Sequence, residues 1–172
     1  MRKIAGTLLF TTVMLCVMSC GPTSDQAIAY NDKIIDQQVA IINKMDGLNT
    51  SFKDWSNKEG MDKAYAEAIK QVEVSITEVT AMDAFDKNTE FKEGALSLFK
   101  VYKSVLDNEY KEMVALYKLP DNLFTKEQED KWTSLSEQAL NKMDNGLNEL
   151  KPIQSKFAEK YKFEINKTYH EK

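Results

Sequence analysis

Nucleophilic and metal-centred chemistry draws on a small set of side chains, and this chain of 172 residues is short of them. It has two cysteines, Cys16 and Cys20, and one histidine, His170, two residues from the C-terminal end. A Ser-His-Asp arrangement needs its base held by a third group, which a terminal tail, where chains are usually loose, does not offer. Di-iron carboxylate bundles use Glu-x-x-His motifs on facing helices, and no such motif occurs. Soft-metal binding requires methionines that are clustered and wet. Met45, Met61, Met82, Met113 and Met143 instead follow apolar stripes, as gap-filling core residues do. No catalytic residue, metal or cofactor is expected, and the chain reads as non-enzymatic. Arg2 is the only arginine, so the guanidinium fork that grips phosphate or carboxylate in two places is missing from the rest of the chain. A basic face for nucleic acid is missing as well.

The reactive group that does stand in an informative place is the Cys20 thiol. Met1-Arg2-Lys3 opens the chain with positive charge, and a small and apolar run from Ala5 to Met18 follows, the two regions of a secretory signal. That run falls short of the roughly 20 apolar residues that span a bilayer. Val17-Met18-Ser19-Cys20-Gly21 resembles the lipobox of bacterial lipoproteins, with an aliphatic residue at minus three, a small one at minus one and then the cysteine. The bulk of Met18 at minus two departs from the favoured pattern. The resemblance implies cleavage between Ser19 and Cys20, diacylglyceryl transfer to the thiol and acylation of the new amino terminus, with chains such as palmitate. A single acyl chain anchors only marginally, and two or three make attachment stable. Membrane lipid is thus the expected partner. With the Tyr30-Asn31-Asp32 string, the chain is also similar to small surface or periplasmic lipoproteins of unknown function from bacteria with two membranes. Asp25 stands alone after Gly21-Pro22-Thr23-Ser24, with no acidic cluster near Cys20. The expected location is therefore the outer membrane facing the periplasm, with surface exposure as the alternative.

Removal of residues 1–19 leaves 153 residues with 21 basic and 27 acidic side chains, net charge −6. Cys16 leaves with the signal and Cys20 is consumed by lipid, so stability must come from a core without disulfides. The expected organisation is a signal over 1–19, a lipidated tether over 20–23, a bundle over 24–167 and a tail over 168–172. Prolines are confined to Pro22, Pro120 and Pro152, and apolar residues recur three and four apart, which is helical periodicity. The first helix is expected over Ser24 to Lys53, with a stripe of Asn31, Ile34, Gln38, Ile41, Met45, Leu48 and Phe52, widened by Ile28, Ile35 and Ile42. The second is expected over Lys58 to Asp83, opened by a Ser56/Glu59 capping box. The third spans Thr89 to Tyr117, ended by Leu119-Pro120. The fourth follows a Thr125/Gln128 capping box, bends near Asn148 to Pro152, and carries its stripe through Phe157 and Tyr161 toward the core. It overhangs its neighbours, where Phe157, Tyr161 and Phe163 among lysines make either an interfacial contact or a plain solvated extension. Short loops make consecutive helices antiparallel. The fold class is all-α, an up-down-up-down antiparallel four-helix bundle.

Polar residues on the apolar seams are candidates for a site. Counting along parallel diagonal helices puts Gln38 level with Tyr102, and the same counting puts Ser75 level with Asn31. These are either polar layers that fix register or, with Tyr30, the lining of a pocket for a small apolar or aromatic ligand in the bundle interior. At the end away from the tether, Trp55, Phe124 and Trp132 gather as a core cap or as a patch that docks an envelope protein.

Overall fold

The structure is a computed structural model that describes residues 21–54 and 57–165. The Val17–Cys20 string, Trp55, Ser56 and His170 lie outside the described residues. Within them the chain is helical, apart from an isolated bridge between Phe85 and Asn88.

Helix α1, Ser24–Ser51, is fixed at its start by a reciprocal cap. The Gln26 N–H donates to the Thr23 hydroxyl at 3.2 Å, and the Thr23 N–H donates to Gln26 Oε1 at 2.9 Å. Its stripe buries every position of the three-and-four spacing from Asn31 to Phe52. Of the three flanking isoleucines, Ile35 is buried and Ile42 half-buried, while Ile28 stays exposed.

Helix α2, Lys58–Thr80, starts differently from the expected capping box: Asn57 is the cap, its Oδ1 accepting from the Gly60 N–H at 2.8 Å. The helix also stops three residues short of Asp83. A tight reverse turn at Phe85–Asn88 takes over, with Phe85 and Asn88 exchanging backbone hydrogen bonds of 3.1 and 2.9 Å. Asp86 and Lys87 at its centre both have positive φ, 51° and 62°, the conformation of a type I′ turn.

The third rod was expected as one regular helix. It consists of α3, Glu90–Val105, a π-helical turn over Leu106–Tyr110, and α4, Lys111–Tyr117. Side chains bond carbonyls at and just before this turn: the Tyr65 hydroxyl donates to Leu106 O at 3.0 Å, and the Asn108 amide to Ser104 O of α3 at 2.7 Å. After a short 3-10 turn, Asp121–Leu123, the last rod is α5, Lys126–Tyr161, opened by the Thr125/Gln128 box. It runs through Pro152 as one helix. Pro152 and Asn148 both face solvent, so water can take the carbonyl that proline leaves without a donor.

Contacts set the neighbours. α1 pairs antiparallel with α2, as Lys44–Glu67, Gln37–Ser75 and Tyr30–Asp83 show in order down the pair. Likewise α3 and α4 run antiparallel to α5, through Glu90–Lys156 and Glu112–Lys131. Glycines let α3 and α5 approach closely. A Cβ on Gly146 would lie 3.0 Å from Leu98 Cδ1, and one on Gly94 2.9 Å from Ile153 Cδ1.

The extra length of α5 does not project. Lys162 adopts the left-handed conformation (φ 57°), and the Phe163 N–H returns to Ala158 O at 3.1 Å, a Schellman closure. Phe157 and Tyr161, expected both to end the core stripe and to lie on the overhang, are buried as the stripe requires, with Phe157 at the centre of a basal cluster. Its ring centroid lies 5.0 Å from Phe91, 4.9 Å from Tyr161, 5.4 Å from Phe85 and 5.9 Å from Phe163. The overhang fails because the turn at Phe85–Asn88 extends the base downward and covers it.

Candidate functional site

Five interior polar residues were singled out, and the structure distributes them over separate layers. Gln38 and Tyr102 do meet, the amide Nε2 lying 3.5 Å from the phenol oxygen, both side chains buried. Gln38 Oε1 has no hydrogen-bond partner among the described residues. Burial pushes the Tyr102 hydroxyl up to about 12, opposed in part by the Gln38 hydrogen bond and reinforced by the Asp144 charge. A phenol in that position stays protonated at neutral pH and serves as a hydrogen-bonding group, not as a base.

Seven residues below Gln38, Asn31 Oδ1 accepts from Gln154 Nε2 at 2.8 Å. Gln154 was missed from the sequence although Leu150, Gln154, Phe157 and Tyr161 keep the four-and-three spacing of a core stripe. The expected level of Ser75 with Asn31 is corrected. The Ser75 hydroxyl donates to Gln37 Oε1 at 2.8 Å and accepts from Gln71 Nε2 at 3.1 Å, which sets it beside the Gln38 layer. The shift of nearly two turns comes from the α1–α2 connection, whose length sets how far down α2 each level of α1 is met. Tyr30 belongs to neither layer. Its ring packs at 5.0 Å on Phe85 and its hydroxyl donates to Asp83 O at 3.2 Å. The set therefore forms one pair, two separate amide or hydroxyl networks and a basal aromatic, not one enclosed chamber.

A further polar group emerges where the π turn rotates the chain. Glu109 is buried, and its Oε1 accepts from Lys142 Nζ at 2.6 Å while Oε2 has no partner among the described residues. Beside it the Tyr110 hydroxyl donates to Asn49 Oδ1 at 2.9 Å. Glu109 keeps the three-and-four spacing of Leu106, Met113 and Leu116 and was missed as Gln154 was, whereas the π turn is invisible in the pattern and Lys142 is brought opposite only by folding.

At the far tip Phe52 is the hub. Trp132 meets it edge-on at 4.9 Å and Tyr117 at 5.8 Å, and the Tyr117 hydroxyl donates to Asp54 O. Phe124 and Trp132 are half-buried against the core, and Leu123 beside them is 52 % exposed. Near the base, α1 and α2 bound an open groove of about 760 Å³ that includes Tyr30, Met82 and Phe85 together with Lys33, Asp36, Glu78 and Asp83. Among the described residues no group of three or more His, Cys, Asp or Glu side chains is placed to hold a metal ion, and no helix is long and apolar enough to cross a membrane. The chain matches no protein-family model, no curated protein and no solved structure.

Proposed function

We propose that this chain is a lipid-anchored binding or scaffold protein of the bacterial cell envelope, exported by a cleaved signal and held through acylated Cys20. The observation that carries the reading is the lipobox-like Val17-Met18-Ser19-Cys20 string set three residues before a rigid body. The Thr23 cap starts α1 at Ser24, so only Gly21 to Thr23 separate the anchor from the bundle. At about 3.4 Å per residue the tether reaches about 10 Å, and the base would ride against the bilayer. The Ser24 hydroxyl donates to Tyr161 O at 2.7 Å, which ties the start of α1 to the end of α5 and makes that base one unit.

A binding role is supported by the side-chain inventory. After processing, no thiol remains free and the one histidine lies in the tail, while the interior polar groups bond mainly to one another across helices. The partner on this reading is an envelope protein that meets the tip around Leu123, Phe124 and Trp132, with the outer membrane facing the periplasm as location. Intact mass of the protein extracted from membranes tests the anchor. The expected result is cleavage before Cys20 with added acyl mass, both abolished by Cys20→Ser. A Cys20→Ser protein that matures at the same bond and still sediments with membranes would overturn the proposal. Crosslinking in the native envelope then identifies the partner, and Trp132→Ala is expected to weaken its capture.

A further inference from the structure

We propose that the groove along the end of α5 holds one of the acyl chains carried by Cys20. Ser155 and Ala158 of the helix line this groove together with Phe163 and Ile165 of the chain that follows Lys162. Its surface is predominantly apolar, and its volume of about 710 Å³ lies within the ordinary range for small-molecule sites. Polar groups that reach the floor bond within the protein: Gln154 gives its amide to Asn31 at 2.8 Å, and Ala158 O takes the Phe163 N–H at 3.1 Å. The charged side chains of Lys151 and Glu159 stand exposed at the rim. Such a floor suits a hydrocarbon. A peptide or a sugar would bring donors and acceptors whose desolvation is not repaid there.

Position and length point to the chain's own lipid, on the reading of Cys20 as the acylated first residue, on which this rests. The Ser24 hydroxyl donates to Tyr161 O at 2.7 Å, which brings the start of α1 to the end of α5. Phe163, in the wall of the groove, lies two residues past that junction. Only Gly21 to Thr23 separate Cys20 from Ser24, about 10 Å at full extension, so the thiol cannot stray far from the groove. From Lys151 to Glu159 the helix offers a bed about 12 Å long at its rise per residue. A lipid chain spans about 15 Å in one leaflet, a close match in length. With three acyl chains on Cys20, two stay in the bilayer, enough for stable attachment.

Cells supplied with a diazirine-bearing palmitate analogue place photoreactive chains on the full protein in its own membrane. After irradiation the protein is purified and digested, and crosslinked peptides are located by mass spectrometry. The expected product joins the Cys20 peptide, through its acyl chain, to a peptide from the Ser155–Ile165 stretch. Ser155→Trp fills the groove from an exposed position and is expected to lower this product several-fold, with acyl mass and thermal melting unchanged. Asn145→Trp, exposed on α5 outside the groove, is expected to leave it as in the parent. Acyl mass on Cys20 without the joined product, or equal yields in Ser155→Trp, would overturn the groove's role and leave the anchor standing. A groove peptide joined to whole phospholipid would assign the groove to bilayer lipid, and a product formed only after deletion of residues 166–172 would assign it to the tail; either overturns the proposal. Absence of acyl mass would overturn the anchor and the groove's role together.

Discussion

The Gln38–Tyr102 contact is long for a hydrogen bond at 3.5 Å, and it leaves one amide oxygen with nothing to accept. Such a pair contributes little net stability, yet removing one partner leaves the other buried and alone. Tyr102→Phe is expected to cost about 1–2 kcal/mol by chemical denaturation at neutral pH. Adding Gln38→Leu is expected to recover most of that, because two apolar groups of similar shape need no partner. A double variant no more stable than Tyr102→Phe would assign the layer a role beyond mutual satisfaction. The same phenol carries a pH dependence whose sign is fixed. Its folded value of about 12 lies above the ordinary 10. Its contribution is therefore complete below about pH 10 and is lost as pH rises toward 12. Burial also raises Tyr110 and Tyr65, so alkaline titration is expected to unfold the chain in that window, with a shallower pH slope in Tyr102→Phe.

Elements differ in how strongly their own sequence specifies them. α1 and α5 carry reciprocal caps and clear stripes; the stripe of α1 and the Thr125/Gln128 cap of α5 were legible in the sequence, while the Thr23 cap and Gln154 were not. The Phe85–Asn88 turn was not, because a type I′ turn normally announces itself with Asn-Gly or Asp-Gly, and here Asp-Lys occupies both positive-φ positions. Tertiary bonds hold it there: Asp86 accepts from the Tyr161 hydroxyl at 3.1 Å. Replacing Lys87 by glycine removes the Cβ strain at φ 62° while leaving Asp86 in place. The expected result is a gain of about 1 kcal/mol, read as a higher melting temperature. Close approach of α3 and α5 makes the opposite demand at Gly146. A Cβ there already falls 3.0 Å from Leu98 Cδ1, so the branched side chain of Gly146→Val is expected to cost about 1–3 kcal/mol through overpacking. An unaltered denaturation midpoint would show that the two helices separate freely at that level.

Across the whole molecule, aromatic clusters mark the two ends, while the middle is filled by fully buried Ile34, Ile41, Val72, Leu98 and Leu106 around the stacked Phe99 and Tyr102 rings. Phe157 joins α1, the α2–α3 turn, α3 and the chain past α5 through its ring contacts. Phe157→Ala is expected to destabilise by about 3–5 kcal/mol. Near-ultraviolet and far-ultraviolet signals should fall together, and a base that melted separately from the rest would count against one cooperative body. The helical class, the four rods and most of the core were readable from residues alone, because a three-and-four spacing puts apolar groups on one face whatever that face meets. Register and level were not. The place of Ser75 depends on how much chain a connection consumes, and the pairing of buried Glu109 with Lys142 depends on the level at which the third rod meets α5. The charge of the basal groove arises only when α1 and α2 set Asp36, Glu78 and Asp83 around Tyr30. The local pattern settles which face turns inward, and only the folded chain decides which side chains from distant helices share a level, since that is set by loop lengths and by close packing across the core.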